Sequence, residues 1–151
     1  MINGTYMAVQ LTDESANALE EFIKNNNIPN PLQKEKLHVT IIYSRNALPE
    51  LEASDSLYIG EAMGFTVWPT YSKRGKDSAN ALILLLDTAD LIARHRSIMT
   101  SFKEATYDFD EYTPHITLSY NLGDDFDINS LDIGSIPTLS FQNEVIKEIE
   151  E

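Results

Sequence analysis

Two five-residue segments constrain this chain more than anything else in it. Leu37-His38-Val39-Thr40-Ile41 and Pro114-His115-Ile116-Thr117-Leu118 share one frame: an apolar residue or proline, histidine, a β-branched residue, threonine and an apolar residue. An extended strand makes sense of that alternation, because side chains at i and i+2 then project from one face. His38 and Thr40 point one way while Leu37, Val39 and Ile41 enter a core. His115 and Thr117 stand in the same relation to Ile116 and Leu118. The fold must therefore supply two half-buried strands whose histidines lie 77 residues apart. Each offers an imidazole and a hydroxyl about 7 Å apart along one face.

The rest of the chain reads as partners for those strands. Thr5 to Leu11 alternates, with Met7, Val9 and Leu11 on one face and Tyr6, Ala8 and Gln10 on the other. Thr12 is placed as a helix N-cap, with Asp13 and Glu14 in the first turn, where the helix dipole favours anions. Ala16, Leu19, Phe22 and Ile23 form a helical stripe, which Asn25-Asn26-Asn27 and Pro29 end. Strands follow at Leu37 to Tyr43, Leu57 to Trp68 and Ala79 to Leu86. Asp87 or Thr88 caps a second helix with an apolar face of Leu91, Ile92, Ile98, Met99 and Phe102. Strands at Pro114 to Tyr120 and about Leu139 to Ile146 complete the order β-α-β-β-β-α-β-β. This pattern predicts an α+β sandwich of antiparallel sheets with helices packed outside. No repeat or linker divides the 151 residues, so one domain is expected over 1–151.

Charge and cysteine usage narrow the function classes. With no cysteine, disulfides, thiolate zinc sites and a cysteine nucleophile are excluded. The N-terminus lacks the basic and apolar regions of a signal peptide, and no apolar run approaches the ~20 residues of a membrane span. A cytoplasmic location and no membrane partner are expected. The net charge is −13, which opposes binding of long nucleic acid. It is unevenly spread: residues 104–151 hold twelve acids and one base, whereas residues 30–80 hold six of each. That neutral stretch contains the compact basic cluster Lys73-Arg74-Gly75-Lys76, together with Lys34 and Lys36. The cluster reads either as a solvated loop or as a lid over phosphates.

If the two motif strands lie side by side, two imidazoles and two hydroxyls converge, an arrangement suited to attack at phosphorus. A neutral imidazole removes a proton from the attacking oxygen, and an imidazolium donates one to the leaving oxygen. Threonine hydroxyls hold the non-bridging oxygens. Histidine's pKa near ~6.5 lets both protonation states coexist near neutrality. A metal site is the rival use of two histidines, but neither motif carries a third ligand at close spacing, so no metal or cofactor is expected. His95, on the apolar side of the second helix, is expected to be structural.

The paired His38-Val39-Thr40 and Pro114-His115-Ile116-Thr117-Leu118 resemble the signature of the two-histidine (2H) phosphoesterase superfamily, which includes the bacterial RNA 2′,3′-cyclic phosphodiesterases. The resemblance implies a LigT-like bilobal fold: two antiparallel β lobes, outer helices and a central cleft lined by one His-x-Thr strand from each. Within the superfamily the opening Gly4-Thr5-Tyr6, the Lys-Leu-His-Val-Thr form of the first motif and Trp68-Pro69 are similar to the anti-CBASS phosphodiesterases of tailed bacteriophages. Those enzymes hydrolyse cyclic di- and trinucleotides that bacteria make to trigger abortive infection. By that resemblance His38 and His115 are the acid/base pair, and Thr40 and Thr117 bind the scissile phosphate. Tyr6 and Trp68 flank a nucleobase, and Glu144 lines the pocket.

The residues themselves bear on these lesser roles. Tyr6 lies on the noncore face of its strand, where a stacking aromatic belongs. Trp68, from the residues alone, reads first as a core or lobe-packing tryptophan. Glu144 is expected to share a face with Gln142, opposite Phe141 and Val145. The expected substrate is a cyclic di- or trinucleotide cleaved at 3′-5′ bonds. Linear RNA 2′,3′-cyclic ends, 2′-5′ oligoadenylate, and sequestration of a cyclic nucleotide without cleavage are the alternatives.

Overall fold

The computed structural model describes residues 4–71, 78–109 and 111–149. Its elements follow the expected order: β1 (Gly4–Leu11), α1 (Asp13–Asn25), β2 (His38–Ser44), β3 (Tyr58–Tyr71), β4 (Ser78–Asp87), α2 (Ala89–Ser101), β5 (His115–Ser119) and β6 (Leu139–Ile149). Short 3-10 turns occupy Lys34–Lys36, Ile128–Ser130 and Ile133–Ser135. The described strand pairings are antiparallel, in the order β2-β1-β6-β3-β4-β5.

The long strand β3 joins the two halves of this sheet. Tyr58, Ile59 and Gly60 pair with Phe141, Ser140 and Leu139 of β6, and from Glu61 onward β3 pairs with β4. The handover is tightly packed: a Cβ on Gly60 would stand 3.0 Å from Thr88 Cβ and 3.2 Å from Phe141 Cε2, so those side chains would have to give way. The sequence pattern ends this strand at Trp68, yet it continues through Pro69, which pairs with Asn80. Beyond Gly60 β3 has a neighbour on one side, and an edge strand tolerates proline.

The helices form where the capping chemistry places them. Thr12 accepts from Ser15 N at 3.4 Å and its hydroxyl meets Ser140 Oγ at 2.6 Å. The asparagine run closes α1, with Asn27 N donating to Lys24 O, Ile28 N to Ile23 O, and Asn27 at φ 51°. That is the left-handed C-terminal cap, which asparagine adopts at small cost. Of the two candidate caps of α2, Thr88 serves: it accepts from Leu91 N and donates to Ile59 O at 2.8 Å. Phe22 of α1 stacks on Phe65 of β3 at 5.7 Å, while His95 of α2 reaches the Ile41 carbonyl of β2 at 2.7 Å.

Although β2 and β5 stand at opposite ends of the strand order, they touch. The sheet is curled so that its outer strands face each other, and one apolar cluster contains both Val39 and Ile116. Passing segments cover their edges. Leu32 N donates to Leu118 O at 2.9 Å, and Ser119 Oγ donates to Pro29 O. On the other side, Thr106 N donates to Ser44 Oγ and Arg45 N to Thr106 Oγ1. Such cover removes the free ladder groups that invite edge pairing. Among the described residues no helix is long and apolar enough to cross a membrane.

Candidate active site

The two frames behave as one device made twice. Val39 and Ile116 are fully buried, while His38, Thr40, His115 and Thr117 are half-buried on the opposite face. His38 Nδ1 lies 2.8 Å from the carbonyl of Lys36, and His115 Nδ1 lies 2.8 Å from that of Thr113. A carbonyl can only accept, so Nδ1 carries the proton in both rings and Nε2 is the nitrogen left to exchange one. In both strands the residue after the threonine falls out of register. The β1–β2 pairing skips Ile41 and the β4–β5 pairing skips Leu118. Such bulges free a carbonyl, and both are used: Ile41 O takes the His95 hydrogen bond, and Leu118 O takes that of Leu32 N. The bulge also buries Ile42 beside Ile41, which strict alternation would have exposed.

Several contacts tie the motifs together. Tyr112, three residues before His115, donates from its hydroxyl to the carbonyl of Thr40 at 2.6 Å. His115 is held below the ordinary histidine pKa chiefly by burial, with its Thr113 carbonyl opposing and the nearby His38 imidazole acting in the same direction as burial. Tyr6 stands beside the first motif. Its hydroxyl is 3.3 Å from Thr40 Oγ1, and its ring meets that of His38 edge-on at 6.5 Å. Burial pushes the Tyr6 phenol up, which favours its neutral form. Trp68 stands beside the second motif, edge-on to His115 at 4.6 Å and 37% exposed, so it is no core tryptophan.

A recess opens on each side of the histidine pair. Beside His115 a volume of about 430 Å³ is walled by Trp68, Pro69, Tyr107, Phe109, Glu111 and Thr113. Beside His38 one of about 270 Å³ is lined by Tyr6, Gln10, Glu35, Lys36 and Lys147 among others. The first is aromatic, and the second carries two lysines against one carboxylate. Among the described residues no three His, Asp or Glu side chains converge as a metal site.

Glu144 does not join this group, which corrects the reading of its face. Asn143, at φ 73°, is skipped in the β1–β6 register, so Gln142 pairs with Gln10 while Glu144 pairs with buried Val9. Paired residues share a face, so the bulge moves Glu144 to the core side. There its carboxylate accepts from Arg94 Nε and Nη2 at 2.9 Å, Tyr58 Oη at 2.6 Å and Ser54 N at 2.7 Å. Lys73, Arg74 and Lys76 lie outside the described residues. His95 is structural as expected, buried and stacked on Tyr112 at 4.2 Å and 7°.

Four residues at the site escape the sequence reading: Tyr107, Phe109, Tyr112 and Lys147. The aromatics fall in an irregular segment with no period to place them. Lys147 pairs with Tyr6 only because the Asn143 bulge shifts the register, so strict alternation from Phe141 and Val145 puts it on the core face.

The family model described as "Anti-CBASS protein Acb1" matches residues 3–151. Relatives of that description include one from Enterobacteria phage T4, 39% identical over 120 residues, covering 80% of this chain and 74% of the relative. One from Yersinia phage phiR1-RT is 38% identical over 120 residues, covering 80% and 73%. Among solved structures, TT0787 of Thermus thermophilus aligns with TM-score 0.54 at 14% identity, covering 95% of this chain and 83% of that one. E. coli LigT complexed with ATP aligns with TM-score 0.52 at 11% identity, covering 97% and 87%. At such identities the likeness is one of fold, and the fold is that of the LigT-like phosphoesterases.

Proposed function

The chain belongs to the Acb1 family of anti-CBASS proteins, and from that premise we propose that it is a phosphodiesterase opening 3′-5′ bonds of cyclic di- and trinucleotide immune signals. The observation that carries this reading is the twin His-x-Thr geometry, with both Nδ1 atoms anchored on carbonyls and both Nε2 atoms left to move protons. His115 is the base in this reading, because burial favours its neutral form. Its Nε2 takes the proton of the ribose 2′-hydroxyl as that oxygen attacks phosphorus. His38, as imidazolium, gives its Nε2 proton to the departing 5′-oxygen. A linear nucleotide ending in a 2′,3′-cyclic phosphate results. Water then opens that ester with the roles reversed: His38 takes the proton of water and His115 returns one to the leaving ribose oxygen. Thr40 and Thr117 donate to the non-bridging oxygens throughout. The Tyr6 hydroxyl lies 3.3 Å from Thr40 Oγ1, and with Tyr6 as the donor of that bond the threonine's own proton is free for phosphate. Trp68 and Tyr6 flank the nucleobases.

The test is incubation of the purified protein with a cyclic dinucleotide in EDTA, resolved by chromatography. Linear product is expected from the wild type, and His38→Ala and His115→Ala are each expected to lose at least ~100-fold in kcat. Cleavage by both variants at the wild-type rate would overturn the assignment, as would turnover that stops in EDTA and returns with added metal. A bell-shaped profile of kcat/KM against pH is expected, with the acidic limb, set by His115, falling below the ordinary histidine value.

A further inference from the structure

A cyclic dinucleotide brings two phosphodiesters to the cleft, and the histidines and threonines account for one. The other is fixed to the same small ring, so it must settle beside the reacting group. The surroundings of the motif pair are unequal. On the His115 side the walls are Trp68, Tyr107 and Phe109, with the Glu111 carboxylate, a poor setting for a second anion. On the His38 side the recess is lined by Lys36 and Lys147, with Gln10, Tyr6 and one carboxylate, Glu35. Lys147 is the single base in the twelve-acid stretch 104–151. It pairs with Tyr6 across β1 and β6, which sets it on the cleft face. Lys36 is placed by the motif itself, since its carbonyl anchors His38 Nδ1. Neither ammonium forms an ion pair among the described residues; the ion pairs present belong to Lys24, Arg45 and Arg94.

We infer that Lys36 and Lys147 form a subsite for the non-reacting phosphodiester of the ring, holding it on the His38 side while the other phosphodiester lies between the histidines. The subsite rests on the cyclic-nucleotide reading above. Two ammonium groups beside one imidazole are a local reversal of the chain's net charge of −13. They bind a fixed anion through charge-assisted hydrogen bonds and take no part in proton transfer. Their contribution is therefore present equally in the ground and transition states, and it appears in KM and not in kcat.

The experiment is steady-state kinetics of Lys36→Gln, Lys147→Gln and the double variant on a cyclic dinucleotide at several salt concentrations. Each single variant is expected to raise KM roughly 5- to 10-fold while kcat stays within about twofold, the size of an exposed charge-assisted contact. Lys147→Arg is expected to restore KM, because the cation is kept. The double variant is expected to show a shallower dependence of KM on salt than the wild type. Both lysines are exposed, so the variants should keep the fold, which melting curves check. Unmoved KM in both single variants, or a rise in KM that arginine does not rescue, overturns the subsite and leaves the phosphodiesterase reading intact. A wild-type protein inert toward every cyclic di- and trinucleotide overturns that reading and the subsite with it.

Discussion

Tyr112 does two things at the scale of a single side chain. Its hydroxyl holds the Thr40 carbonyl, and its ring lies flat on His95, whose Nδ1 proton holds the next carbonyl, that of Ile41. Two successive carbonyls of the bulged strand are thus clamped by one stacked pair. Burial drives the Tyr112 phenol far above its ordinary range and pushes His95 down against the Ile41 hydrogen bond. Burial thus favours the neutral form of both rings. Because Tyr112 leads directly into Pro114-His115, the clamp also sets the distance between the two motifs. Tyr112→Phe keeps the ring and removes the hydroxyl, leaving the Thr40 carbonyl without that partner at a cost of about 1–3 kcal/mol in stability. Its kcat is expected to fall roughly tenfold with little change in KM, since a reactive geometry is lost and binding is not. An unchanged kcat alongside a lowered melting temperature would reduce Tyr112 to a purely structural role.

At the scale of elements, the bulge in β6 fastens that strand to α2 through Glu144 and Arg94. Burial raises the Glu144 carboxyl, but the hydrogen bonds from Arg94, Tyr58 and Ser54 outweigh it and hold the pKa below its ordinary value. Burial and the Glu144 partner push Tyr58 up to about 12. The signs follow from linkage. The ionised Glu144 stabilises the fold fully above the unfolded carboxyl value of ~4.3, and this is lost as pH falls through the lower folded value. The neutral Tyr58 stabilises it fully below ~10, and this is lost as pH rises toward the folded value. Melting temperatures are thus expected to drop above ~10 as Tyr58 ionises. On the acid side they are expected to drop in two stages, first below ~6.5, where the depressed His95 and His115 must take protons on unfolding, and then as Glu144 is protonated. Glu144→Gln is expected to cost about 2–4 kcal/mol at neutral pH and to weaken the acid-side drop. A wild-type stability curve matched by Glu144→Gln across the whole range would refute the role given to this tie. The same elements show what could be read in advance. His38, Thr40, His115 and Thr117 are legible because period-two alternation is local, and the helix caps because threonine, aspartate and asparagine act within a turn. The bulges at Ile41, Leu118 and Asn143 are not, because a skipped register depends on the neighbouring strand. Alternation puts Glu144 on the wrong face for that reason alone. Tyr112 and Thr40 lie 72 residues apart, and no local pattern announces their contact.

For the whole molecule the governing quantity is charge. A surplus of thirteen negative charges opposes compaction as well as polyanion binding, and screening weakens both effects. The melting temperature is therefore expected to rise between about 10 mM and about 150 mM salt, over which the screening length shrinks from ~30 to ~8 Å. A fall over that range would show that attractive ion pairs outweigh the self-repulsion. The charge also bears on the proposed substrate: a ring with two or three phosphates needs a few aimed donors, whereas a long backbone needs a basic track. The curl of the sheet has one more consequence. The strands bearing the two imidazoles are the outermost of six, and each belongs to a different half. A half-assembled molecule presents one imidazole and one hydroxyl, a chemically silent pair. In the mechanism proposed above, competence emerges only with the final closure of the chain, and turnover of a cyclic nucleotide would then itself report that folding is complete.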